Sequence, residues 1–118
     1  MSNMILKRAL VLSLLALSFS IHASQNKEYL ANRCNELAQT VTSLVASQRN
    51  PTCIDKLYLA SMQMNTAAGL ILDDSTNVAK EIIDNAISAL QFAEFASCNQ
   101  YIQISHTRHE VYKLKHLL

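Results

Sequence analysis

The chain is 118 residues long, enough for one domain at most. It holds one glycine and one proline, too few turn formers for a β-rich fold, and this points to helices. The formal net charge is +1, too mild a balance to suggest nucleic acid as a partner.

Lys7 and Arg8 precede an apolar run from Ala9 to Ile21 that only serines interrupt, and Ile21-His22-Ala23 leads into Ser24-Gln25. A basic start, a short apolar core and a small residue at the cut describe a secretory signal peptide. The expectation is therefore a cleavable signal over residues 1–23, cut after Ala23, and a single helical domain over residues 24–118. The run is shorter than the roughly 20 residues of a comfortable membrane span, so no stable span is expected after cleavage. An uncleaved anchor is the competing reading. Export would carry the mature chain to the periplasm or out of the cell. Without Lys7 and Arg8 the balance becomes eight basic against nine acidic residues. Residues 101–118 alone carry Arg108, Lys113 and Lys115 against Glu110, and they also hold His106, His109 and His116.

The first mature helix is expected from about Asn26 to Gln48. Leu30, Cys34, Leu37, Val41 and Leu44 recur at steps of four and three, which places them on one face. Glu28, Arg33, Glu36 and Gln39 face away. Cys34 sits on the apolar stripe, where a cysteine behaves as a small hydrophobe. A nucleophilic cysteine needs a nearby base and an electropositive site, to which nothing here points.

Arg49-Asn50-Pro51-Thr52 is the clearest break, since Asn-Pro favours a turn and proline suits the first turn of a helix. A second helix then runs from Pro51 to Leu72 with Cys53, Leu57, Ala60, Met64, Ala67 and Ile71 as its stripe. Met62 and Met64 are two residues apart and face different ways, so they read as packing rather than as ligands for a soft metal or haem. Asp73-Asp74-Ser75-Thr76 is the next break, and each of its residues can cap a helix start.

The stretch from Ser75 to Leu118 organises the chain. Ala79, Ile83, Ala86, Leu90, Ala93 and Ser97, then Ile104, Thr107, Val111, Leu114 and Leu118, keep the four-three step, and only Gln100 interrupts the phase. Neither proline nor glycine occurs after Gly69, so no residue forces a stop. A continuous helix of about 44 residues would span roughly 65 Å with most of it uncovered. A bend at Ser97-Cys98-Asn99 is therefore expected, with a long helix paired in a homodimer as the alternative. Tyr101-Ile102-Gln103-Ile104-Ser105 also alternates as a short strand would. Phe92 and Phe95 lie off the apolar stripe and are expected to contact a fourth element, or else to form a partner site.

Three pairings of Cys34, Cys53 and Cys98 are open in sequence terms. In an up-down bundle, Cys53 and Cys98 fall at the same end. Cys34 lies about 15 residues below the top of its helix, roughly 22 Å away. A disulfide needs Cα atoms within about 7 Å, so Cys53–Cys98 is expected, with Cys34 a free buried thiol. A different helix arrangement would reverse that choice.

His106, His109, Lys113 and His116 recur at three, four and three as a basic stripe beside the apolar one. His106, His109 and Glu110 are the candidate metal ligands by spacing, although His-Thr-Arg-His-Glu is not the zinc-protease order. Phe92, Phe95, Lys113 and His116 are the candidate partner-binding residues. Glycine-rich phosphate loops, serine elbows, paired-cysteine motifs and haem-attachment motifs are absent from the sequence. In size and disulfide use the chain is similar to small exported helical inhibitors of toxins and to periplasmic chaperones, a likeness of class only. The expected fold is all-α, a small bundle of three to four antiparallel helices with one disulfide. The expected function is binding another protein through a surface, with no cofactor and no catalysis. A metal-binding bundle using the C-terminal histidines is the alternative.

Overall fold

The structure, a computed structural model, describes residues 26–118. The expected cut after Ala23 and the apolar run before it lie outside the described residues. Among the described residues four helices form an all-α bundle: α1 over residues 26–45, α2 over Pro51–Leu72, α3 over Thr76–Phe95 and α4 over Tyr101–His116. α2 packs on α3 and α3 on α4. α1 closes the ring, reaching α2 through Ser61 and α4 through Arg33.

The core is built from the stripes read in the sequence. Cys34, Leu37, Val41 and Leu44 of α1 are buried with Leu57, Ala60, Met64 and Ile71 of α2. Ala79, Ile83, Ala86, Leu90 and Ala93 of α3 and Ile104, Val111 and Leu114 of α4 complete it. Many of these positions are alanine, which lets the helix axes approach closely. Ser61, the one buried serine among the described residues, donates to the Ala38 carbonyl across the α1–α2 contact (3.0 Å), and its Oγ lies 2.6 Å from Thr42 Oγ1. A hydroxyl in this position is therefore satisfied rather than stranded.

The helix ends show how a chain with so little glycine turns corners. Asn50 caps α2 by accepting from Thr52 N–H at 2.8 Å, with Pro51 in the first turn. At the far end of α2 the Ser75 N–H bonds the Leu70 carbonyl and the Asp74 N–H the Ile71 carbonyl. The end of α3 repeats this, with Cys98 N–H to the Ala93 carbonyl and Ser97 N–H to the Glu94 carbonyl. Both are Schellman endings, and both place a non-glycine residue in the left-handed region, Asp74 at φ 63° and Ser97 at φ 56°. Gln100 takes the same conformation at φ 60° just before α4. The bend expected at Ser97-Cys98-Asn99 thus exists, and α4 folds back along α3 in place of one long helix. α1 ends at residue 45, three residues short of the expected Gln48. There the Gln48 side chain takes the Leu44 carbonyl (3.1 Å), offering the backbone an alternative to another helical turn.

A left-handed non-glycine residue costs about 1–2 kcal/mol, partly offset by the greater freedom of glycine in the unfolded chain. Ser97→Gly is accordingly expected to raise stability by about 0.5–1 kcal/mol. An unchanged or lower urea midpoint would show that the Ser97 backbone is not strained.

Candidate functional site

The loop between α3 and α4, residues 96–100, is the most heavily tied corner among the described residues. Cys53 and Cys98 stand at disulfide distance, with Cα atoms 5.8 Å apart. Gln48 clasps Asn99 from the α1–α2 loop: its Nε2 donates to the Asn99 carbonyl (2.7 Å) and its Oε1 accepts the Asn99 N–H (2.8 Å). Asn99 Nδ2 donates in turn to the Ser47 carbonyl at 2.7 Å. Three hydrogen bonds thus join two loops about fifty residues apart, and the cysteine pair ties the second loop to the first turn of α2.

This rigid corner presents apolar side chains to solvent. Phe95 at the end of α3 is 86% exposed, and Tyr101 and Ile102 at the start of α4 are 58% and 66% exposed. Together with His106, Arg108 and His109 they line an open groove of about 670 Å³. Exposed apolar side chains gathered beside one groove, unlike scattered single ones, mark interaction surfaces. One wall is fixed by an ion pair, Arg108 Nε to Glu94 Oε2 at 2.8 Å, which bolts α4 to α3. The other Glu94 oxygen is buried and without a protein partner among the described residues.

The candidate residues from the sequence divide between two sides of α4. His106 and His109 line the groove. Glu110, four residues after His106, turns toward α1, where Arg33 Nη2 donates to Oε2 (3.2 Å), and on its own helix Lys113 Nζ donates to Oε1 (3.3 Å). Lys113 first, and Arg33 with it, hold the Glu110 carboxyl below the usual carboxylate range. Among the described residues no three His, Cys, Asp or Glu side chains gather in a way that could hold a metal ion. Lys113 is exposed and His116 packs edge-on against Tyr112, with ring centres 4.5 Å apart.

Phe92 and Phe95 do not share an environment. Phe92 leans toward α2, where Lys56 Nζ sits 4.9 Å from its ring centre. Phe95 stands over the groove. Neither is buried by a fourth element: Phe92 is 43% exposed and Phe95 86%.

Cys34 is free and fully buried. Burial pushes its thiol up to about 12. Because the thiolate is the reactive form, Cys34 is expected to resist iodoacetamide at neutral pH in the folded chain and to react once urea unfolds it. Mass spectrometry of the alkylated protein reads this directly, and ready labelling of the native chain would contradict the burial.

Tyr101, Ile102 and the Gln48–Asn99 clasp were not singled out in the sequence as site or anchor. The off-phase position of Tyr101 and Ile102, at the start of an apolar stripe carried by Ile104 and Thr107, is the signal that identifies them. No protein-family model matches the chain, and neither the curated proteins nor the solved structures contain a match to it.

Proposed function

We propose that this chain is an exported binding protein that engages another protein through the α3–α4 corner, acting by a surface rather than by chemistry. The observation that carries the reading is the exposed set Phe95, Tyr101 and Ile102 around one groove, on the helix ends that flank the loop tied by the Cys53–Cys98 pair and the Gln48–Asn99 clasp. A rigid apolar surface loses little conformational entropy on association, and buried aromatic anchors supply most of the energy at protein interfaces. The Cys53–Cys98 pair also suits an oxidising compartment, in line with the export signal read at residues 1–23.

The test is capture of a partner from the exported fraction, followed by affinity measurement with the purified pair. Phe95→Ala combined with Ile102→Ala is expected to weaken binding roughly thirtyfold or more, as for the loss of central anchors. Met62→Ala, a change at an apolar residue on α2 that is also more than half exposed, is expected to leave affinity unchanged. Equal loss in both variants, or in neither, would remove the corner from the interface.

A further inference from the structure

The outward face of α4 continues the corner, and its chemistry is one-sided. Past Tyr101 and Ile102 it presents His106, His109, Lys113 and His116, all exposed. It carries no carboxylate. The one acid between residues 101 and 118 is Glu110, which is turned to Arg33 and Lys113. The acids that face α4 from α3 are also engaged, Glu94 with Arg108 and Asp84 with Lys115 at 2.6 Å. What remains outward is a row of N–H donors beside an apolar anchor site. A histidine offers a donor to a carboxylate in either protonation state, so the row is complementary to acidic groups without needing to titrate.

We propose that the partner contacts this face with a protein segment in which apolar anchors are flanked by Asp or Glu. The apolar side chains fill the groove between Phe95, Tyr101 and Ile102, and the carboxylates accept from His106 and His109 at its edge and, beyond it, from the N–H groups that Lys113 keeps besides its contact with Glu110. This rests on the binding role proposed above and adds the chemistry of the partner. An anionic membrane is the other surface with that charge. Lys113, already paired with Glu110, is the one lysine or arginine among the exposed residues of α4, whereas helices that lie on lipid bring several to the polar face. A protein segment is therefore the better fit.

The test uses three fluorescein-labelled peptides that share the same Leu and Phe anchors and differ only in flanking residues, Glu, Ser or Lys. Binding to the full mature chain is followed by fluorescence polarisation. The Glu peptide is expected to bind tightest, and its advantage is expected to shrink as salt rises, since exposed charges are screened. His109→Glu with Lys113→Glu is expected to cost the Glu peptide roughly tenfold and to turn the preference toward the Lys peptide. Both positions are exposed, and an unchanged helical circular-dichroism spectrum checks that the variant folds. A Ser or Lys preference in the parent chain, or a ranking unmoved by the double variant, overturns the acidic-segment inference while the capture result stands. Binding to vesicles of phosphatidylglycerol without binding to any peptide overturns it in favour of lipid. If the captured partner ignores Phe95 and Ile102, the binding surface itself has been misplaced, and that outcome is distinct from the other two.

Discussion

Replacing both Cys53 and Cys98 with alanine is expected to lower the unfolding free energy by about 4 kcal/mol. The bond closes a separation of 45 residues, and the chain-entropy model assigns a loop of that length a cost of this order in the unfolded state. Both cysteines are buried, so alanine avoids leaving the stranded hydroxyl that serine would bring. For a domain of this size the loss is large, because small domains hold only about 5–15 kcal/mol in total. Urea unfolding followed by circular dichroism measures it, with the reduced parent chain as a second route to the same quantity. The slope of the transition is expected to steepen, since an unlinked unfolded chain exposes more surface. A loss below about 1 kcal/mol would mean that the unfolded chain stays compact or that the native chain does not carry the bond. Below the melting transition the Gln48–Asn99 clasp still joins the two loops, so the helical content of the folded variant is expected to match the parent.

The ends of α2 and the pairing of the cysteines were legible in the sequence because their causes are local or topological. Asn50 and Pro51 build their own cap, and the up-down path with its fixed rise per residue brings Cys53 and Cys98 to one end. The turn at Ser97 was half legible. Serine and asparagine announced a break, but the left-handed conformations of Ser97 and Gln100 belong to a loop held by Gln48, a residue 51 positions away from Asn99. No periodicity reports such a contact. The placing of Glu110 shows the same limit from the electrostatic side. A spacing of four residues puts Glu110 near His106 along one helix. It does not show that Arg33, on another helix, draws the carboxylate to the opposite flank of α4. Phe92 and Phe95 were visible as aromatics off the stripe. Which of them faces the groove depends on how α2 and α4 flank α3, and that is set by packing.

Ile104→Ala is expected to cost about 2–5 kcal/mol, and Ile102→Ala, two residues earlier in the same helix, no more than about 0.5 kcal/mol. The pair separates two ways of reading one short stretch. In a strand the side chains of residues 102 and 104 would lie on one face and be buried or exposed together. In a helix they are about 200° apart. Ile104 is 0% exposed, packed with Thr107, Val111 and Leu114 into the core, whereas Ile102 stands in the groove beside Tyr101. Truncating Ile104 removes three buried carbons and leaves a cavity that the surrounding core can only partly close. Truncating Ile102 removes carbons that already meet water. Paired urea titrations decide the matter: equal losses would place both residues in one environment and undo the helical assignment of residues 101–105. The same contrast divides stability from recognition. Ile102 adds little to holding the bundle together and yet stands beside Phe95 and Tyr101 in an exposed apolar groove. Its effect is expected in partner affinity, where Ile104→Ala acts only through loss of folded protein.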